Sequence, residues 1–209
     1  MQLVWDMDGT LLDSSAAVPA AFAAAVRRLG GPLVDADQVI ASYPLGNSAV
    51  ILAHLLGRPL AAGEEDAYYE QLAGMPVRAY PGVADVLAAL HDRGHVVAVF
   101  TGASSPAAEM LLRSAGLRVD VLVGGDQMLR PKPSADGLRV TAERLGIVTA
   151  DMIYIGDSVL DLRAAKAAGS RSAAAAWGHQ FDAAEPADYT LATPAQALDL
   201  LGSAPGSVP

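Results

Sequence analysis

The chain contains no cysteine. That excludes a disulfide framework, a zinc–thiolate centre and a cysteine nucleophile, and it fits a reducing, cytoplasmic setting. Lysine is almost missing too: two lysines stand beside twelve arginines, all scattered along the chain. No basic face of the kind that grips nucleic acid can be drawn from them. Aromatic residues make up only 5% of the sequence. No apolar run reaches the roughly eighteen residues a transmembrane helix needs. The opening Met1-Gln2-Leu3-Val4-Trp5-Asp6 has no basic stretch and meets an acid at once, unlike a secretory signal. No internal repeat is visible.

What is present bounds the fold. At about 150 residues per domain, 209 residues make one generous domain or one domain with an insertion. A hydrophobic content of 52% excludes disorder for most of the chain. The net charge of -9 repels anions at long range, so any anion site must carry its own cation.

Short apolar runs at Leu3–Trp5, Val96–Phe100, Val119–Val123 and Met152–Ile155 predict strands, the near-continuous Val96–Phe100 run one buried on both faces, with weaker signals at Ser172–Ala176 and Tyr189–Leu191. Between them fall helical patterns at Val83–Arg93, Pro106–Ala115, Pro133–Leu145 and Val159–Ala168, most followed directly by glycine, and a last one at Ala195–Leu201. An earlier helix runs over Ala16–Leu29, opened by Ser14 or Ser15 and closed by Gly30-Gly31-Pro32. Such alternation predicts an α/β core with a Rossmann-like, doubly wound parallel sheet. From Ala36 to Arg78 there is no clear strand, only short helical pieces broken at proline and glycine. The predicted organisation is a core of residues 1–13 and 81–209 with an inserted all-α cap over 14–80. Gly202–Pro209 reads as a loose tail.

In open α/β sheets ligands bind outside the carboxyl ends of the strands, so the residues after each strand carry the chemistry. The first strand ends in Asp6-Met7-Asp8-Gly9-Thr10. A calcium loop fails here, because the sixth and twelfth positions are Leu11 and Ala17 rather than Gly and Glu. The second ends in Thr101-Gly102-Ala103-Ser104-Ser105, where hydroxyl and backbone N–H groups can hold an anion, or Ser104 or Ser105 can simply cap a helix. The third is followed by Arg130-Pro131-Lys132-Pro133, a stiff loop presenting a compact ammonium. The fourth ends in Gly156-Asp157-Ser158-Val159-Leu160-Asp161, with Asp161 one helical turn beyond Asp157; a helix cap and a dipole-favoured acid are the plainer readings of these two. Together the four tips place acid pair, hydroxyl, lysine and acid pair at one end of one sheet. Carboxylates so gathered need a cation, and an all-oxygen set suits Mg²⁺. The residues thus predict a Mg²⁺-dependent phosphoryl-transfer site with a carboxylate nucleophile.

The ordered set Asp6-Met7-Asp8-Gly9-Thr10, Thr101, Lys132 and Gly156-Asp157-Ser158-Val159-Leu160-Asp161 resembles the haloacid dehalogenase superfamily, and most resembles its phosphoglycolate-phosphatase-like branch with a helical cap. The likeness runs from Leu3 to about Leu201, with Tyr80-Pro81-Gly82-Val83 similar to the return into the core and Ala187-Asp188-Tyr189 similar to the branch's ending. It implies that Asp6 attacks phosphorus and that Asp8 protonates the leaving oxygen and then activates water. It implies that Thr101 and the Gly102 N–H hold the phosphoryl oxygens and that Lys132 neutralises them. Mg²⁺ would lie on Asp6, the Asp8 carbonyl and Asp157, with Asp161 acting from behind. The superfamily's dehalogenases lack an acid at the position of Asp8, so the resemblance implies phosphate esters.

Two departures stand out. Thr101-Gly102-Ala103-Ser104 lacks the Asn-Lys often found after this threonine. The cap offers only Arg27, Arg28, Arg58 and Arg78 as cations, which disfavours a substrate bearing a second strong anion. Tyr43, Asn47, Ser48 and His54 of the cap and His179 of the core are candidates to border the site, and Arg130 to pair with cap acids. The expected activity is hydrolysis of a small phosphorylated metabolite by a monomer or homodimer, with no nucleic-acid or membrane partner. A sugar phosphomutase, or a non-catalytic phospho-acceptor module, is the alternative. Gly9–Ser15 and Arg78–Gly82 are the expected hinges of the cap.

Overall fold

The structure, a computed structural model, describes residues 1–201. The tail Gly202–Pro209 lies outside the described residues. The chain runs β1 (Gln2–Trp5), β2 (Leu12–Asp13), α1 (Ala17–Arg28), α2 (Ala36–Ser42), α3 (Ser48–Leu56), α4 (Asp66–Ala73), β3 (Arg78–Ala79), α5 (Val83–Asp92) and β4 (Ala98–Phe100). It continues through α6 (Ser105–Ser114), β5 (Val121–Val123), α7 (Asp136–Leu145), β6 (Met152–Gly156), α8 (Val159–Ala168), β7 (Arg171–Ala175) and β8 (Tyr189–Leu191).

Six strands form one sheet in the order β5-β4-β1-β6-β7-β8, every pairing parallel. Val4 pairs with Ala98 on one side and Tyr154 on the other, so β1 is central. Strand order reverses beside β1, and the tips of β1, β4 and β6 therefore border the crevice where such sheets bind ligands. Alternation along β1 splits the core in two. Leu3 and Trp5 join the larger cluster, with Val97, Val99, Ile153 and Ile155. Val4 joins the smaller one, with Ala98, Phe100 and Tyr154 beneath α7 and α8. Both faces are covered, which is why these strands read as unbroken apolar runs.

The helices α1 to α4 lie between β2 and β3, which pair antiparallel through Leu12 with Ala79 and Asp13 with Arg78. In α1 the buried Ala21, Phe22, Ala25 and Val26 fall at helical spacing and turn one face inward. Tyr68 of α4 stacks on Phe22 with ring centroids 4.1 Å apart. Among the described residues no helix is long and apolar enough to cross a membrane.

Several boundaries differ from the sequence expectation. Neither Ser14 nor Ser15 caps α1: Ala16 holds that position without a side-chain bond. The two serines donate instead to Asp8 and Asp13. The second sheet strand begins at Ala98 rather than Val96, because the Val97 N–H is taken by the Asp120 carboxylate at 2.9 Å. The helix expected from Pro133 begins at Asp136, after a turn closed by Ser134 N–H to the Pro131 carbonyl. The last helix is a 3₁₀ segment over Pro194–Leu201. Arg78–Ala79 forms a short strand where none was expected.

Gly137 on α7 packs directly on the Phe100 ring, and a Cβ there would come within 2.0 Å of it. Gly137→Ala is therefore expected to cost about 1–3 kcal/mol of stability through overpacking, read as a lower urea midpoint.

Candidate active site

The site assembles at the strand tips. Asp6 follows β1 and extends its ladder, its N–H donating to the Ile155 carbonyl at 2.8 Å. Asp157 follows β6, and Asp161 lies in the first turn of α8. Lys132 comes from the loop between β5 and α7, where its peptide to Pro133 is cis. It is the only buried cation among the described residues. Its Nζ donates to Asp6 Oδ1 at 2.5 Å and to Asp161 Oδ1 at 2.6 Å. The same ammonium lies 4.8 Å from the Phe100 ring centroid and 5.3 Å from that of Tyr154, where the π-faces add to its stabilisation. Asp6 Oδ2 accepts no hydrogen bond among the described residues.

Each acid is held from behind. Ser158 and Asp161 form a capping box at the start of α8: Asp161 Oδ2 accepts from the Ser158 N–H at 3.0 Å and from its hydroxyl at 2.6 Å. The Tyr154 oxygen lies 2.9 Å from the Phe100 carbonyl, to which it donates, and 3.1 Å from Asp161 Oδ1. Asp157 accepts from the Gln180 N–H at 2.9 Å. Gly9 and Gly178 press their backbones on Asp157, and a Cβ on either would lie 2.3 Å and 2.2 Å respectively from its atoms. Gly9 also has φ +83, so two reasons exclude a side chain there. Asp8 accepts from the Ser14 hydroxyl at 2.5 Å. Thr101 and Gly102 stand at the tip of β4, where the Thr101 N–H donates to the Val123 carbonyl.

The structure places Asp6, Asp8, Thr101, Gly102, Lys132 and Asp161 on the wall of one cavity of about 120 Å³, closed from the other side by the helices after β2. Asp157 sits behind it, next to Gly9 and Gly178. Of the cap candidates, Tyr43 and Ser48 line the cavity, Asn47 caps α3 and reaches the Gly125 carbonyl, and His54 is exposed. His179 faces the Tyr80 hydroxyl at 3.3 Å. Arg130 pairs at 2.8 Å with Asp136 at the start of α7 rather than with a cap acid. Ser104 occupies the N-cap of α6 but makes no capping bond; its hydroxyl lies 2.7 Å from that of Ser48 across the cleft. The residue capping α8 is Ser158, which leaves Asp157 free of that duty. Sequence reasoning missed Tyr154, Gly178 and Gln180. A tyrosine inside the apolar run of β6 was a usable signal, since a buried phenol seeks a partner; Gln180 contributes only its backbone and gave none.

One oxygen from each of Asp6, Asp157 and Asp161 lies within 4.8 Å of the others, all three residues being buried. A single ammonium leaves this cluster with excess negative charge, and its donors are all hard oxygens, so it fits a divalent cation. Burial, and then the charge of Asp161, push the Asp6 carboxyl well above the usual carboxylate range. The same two causes raise Asp157 to about 7. Burial also raises Asp8 against the pull of Ser14.

These shifts set a pH dependence for the metal-free protein. Between the unfolded value of about 3.9 and about 7, folded Asp157 holds a proton that the unfolded chain has released. Stability is then expected to fall as pH rises through that window, with Asp6 and Asp8 acting in the same direction. The lowered Glu64 and Asp136, both at about 2, act with opposite sign only at lower pH. Urea midpoints in EDTA at pH 5 and pH 7.5 measure the slope, and Asp157→Asn should flatten it.

A parallel sheet with paired acids at its central strand tips, a lysine bridging them and a helical layer over the cleft defines a class of hydrolase. The family model for haloacid dehalogenase-like hydrolases matches residues 2–169, and the chain belongs to that family of enzymes. Within it, the chain stands with phosphoglycolate-phosphatase-like members. It is 33% identical over 194 residues to the phosphoglycolate phosphatase of Xanthomonas campestris pv. campestris (strain 8004), covering 90% of this chain and 88% of the relative. It is 31% identical over 209 residues to that of Escherichia coli (strain K12), covering 86% and 82%. Among solved structures it is similar to CbbY from Rhodobacter sphaeroides in complex with phosphate, with a TM-score of 0.79, 26% identity and coverage of 93% and 95%.

Proposed function

We propose that this enzyme is a Mg²⁺-dependent phosphatase that hydrolyses small phosphomonoesters through an aspartyl-phosphate on Asp6. The observation that carries this reading is the placement of Asp6 on the cavity wall, its Oδ1 bound by Lys132, its Oδ2 without a donor, and Asp8 and Thr101 beside it. Its relatives' names, phosphoglycolate phosphatase, support a phosphate ester as substrate.

In the proposed reaction Asp6 attacks phosphorus and the ester P–O bond breaks. Asp8, whose carboxyl burial pushes above its ordinary value, gives a proton to the leaving alcohol oxygen. The resulting Asp8 carboxylate then takes a proton from water, whose oxygen attacks the aspartyl-phosphate. Inorganic phosphate leaves, and Asp6 is again a carboxylate. Thr101 and the Gly102 N–H hold the phosphoryl oxygens while Lys132 balances their charge. Asp6, the Asp8 carbonyl and Asp157 would hold Mg²⁺, which supplies the positive charge that lets phosphate and carboxylate approach. Asp161 holds Lys132 in place. Residues 14–80 act as the cap, and residues 1–13 with 81–209 as the core. A cytoplasmic monomer or homodimer completes the proposal.

The test is release of phosphate from a chromogenic aryl phosphate. Activity is expected with Mg²⁺, none in EDTA, and a loss of about 10²–10⁴-fold for Asp8→Asn. Bisphosphate-dependent isomerisation outrunning phosphate release would point instead to the mutase.

A further inference from the structure

The cavity extends beyond Asp6 and Lys132 toward the helices, and there its lining is neutral: Val18, Phe22, Tyr43, Ser48, Ile51 and Tyr68. Every positive group between β2 and β3 points elsewhere. Arg28 pairs with Glu70 and Arg58 with Glu64, both on the surface. Arg27, Arg78 and His54 are exposed. The titratable groups nearby are acids: Asp8 lines the cavity, and Glu65 lies behind Ser48, accepting from its hydroxyl at 2.7 Å and from Tyr69 at 2.6 Å.

Tyr68 adds a second, independent observation. The residue is 2% exposed, its ring stacked on Phe22. Its hydroxyl has no hydrogen-bond partner among the described residues. The sealed polar atoms without partners are Trp5 Nε1 and Gln127 Oε1; the Tyr68 oxygen is not one of them, so its small exposed area opens on the cavity it lines. A phenol buried to this degree ordinarily finds a partner. Tyr43, half-buried on the same wall, also has a hydroxyl without a partner among the described residues.

We infer that this subsite selects phosphomonoesters of an uncharged alcohol bearing oxygen: Tyr68 and Tyr43 bond the neutral oxygens, the Phe22–Tyr68 face packs the carbon skeleton, and a second anion is rejected. The inference rests on the phosphatase reading above and narrows its substrate class. A carboxylate on the alcohol half would lose its water and meet hydroxyls and apolar groups, the one cation on the cavity wall, Lys132, being already paired with Asp6 and Asp161. A neutral hydroxyl at the same place carries no such penalty and satisfies a phenol that is otherwise left unpaired. The selectivity thus departs from the substrate in the relatives' names, whose carboxylate this wall does not match.

Two substrate pairs test it in Mg²⁺. Phosphoglycolate and 2-hydroxyethyl phosphate share a skeleton and differ in charge; the neutral ester is expected to have a kcat/KM roughly 100-fold higher. Glycerol 1-phosphate and propyl phosphate differ in hydroxyls. Tyr68→Phe should cut kcat/KM for glycerol 1-phosphate about tenfold and leave propyl phosphate unchanged, whereas a purely structural role would lower both. Should Tyr68→Phe fail to fold, Tyr43→Phe makes the same comparison on the same wall. Turnover of phosphoglycolate equal to or better than its neutral isostere overturns the inference while leaving the phosphatase reading intact. No turnover of any ester, aryl phosphate included, overturns both.

Discussion

Replacing Asp6 with asparagine is expected to reduce phosphate release by at least roughly 10⁴-fold, as loss of a covalent nucleophile does elsewhere. The fold should survive the change. Asparagine keeps the shape and still offers Lys132 an oxygen where Asp6 Oδ1 stood. It also removes a carboxyl that burial and Asp161 hold well above its ordinary range. In metal-free protein at pH 7.5 the variant should therefore be as stable as wild type or more so, as active-site residues often allow. The pairing is what makes the result informative: activity collapses while the urea midpoint holds or rises. A variant that loses both, or keeps its activity, would remove Asp6 from the reaction.

Replacing Lys132 with methionine is expected to do the reverse to stability. Among the described residues the ammonium is the sole positive group against Asp6 and Asp161, at 2.5 and 2.6 Å, and Asp157 completes the acidic cluster. Removing one partner of a buried ion pair strands the others, which costs about 3–5 kcal/mol. The loss should be largest in EDTA at pH 7.5. It should shrink at pH 5, where the carboxyls accept protons, and Mg²⁺ should recover more stability for the variant than for wild type. Lys132→Arg is not expected to rescue: a planar guanidinium needs more room than a space bounded by Phe100 and Tyr154 gives. Urea titrations with and without Mg²⁺ measure each of these, and an unchanged midpoint for Lys132→Met would contradict the charge balance described for the cluster.

Much of the fold was legible because each central strand is buried on both faces. Leu3–Trp5 and Met152–Ile155 had to be unbroken apolar runs, and such runs between glycine-stopped helices admit few topologies. Val159–Ala168 was legible to the residue, closed by Gly169, although the cap at its start is Ser158 and not Asp157. Boundaries failed where a side chain or a proline intervened in the backbone ladder: Asp120 taking the Val97 N–H, and the turn at Pro131–Ser134 delaying α7. The acids and the lysine announced themselves by position after strands. Their supports did not. The Gln180 contact to Asp157 is backbone, and a backbone group has the same letter code wherever it points. Gly178 is legible only once Asp157 is known to lie against it. The neutral lining around Tyr43 and Tyr68 depends on how four short helices pack, which no local pattern encodes.

The two-residue ribbon joining Leu12–Asp13 to Arg78–Ala79 has a consequence for how this enzyme can change. It brings the departing and returning chain side by side, so the gap to be bridged is the same whatever lies between. Closing a longer or shorter excursion across it adds little entropy. A foreign segment grafted between those two strands would leave the six-stranded sheet and the Asp6–Lys132–Asp161 cluster in place. With the subsite inferred above, selectivity would travel with the transplanted segment while the acids and lysine of the sheet stay behind.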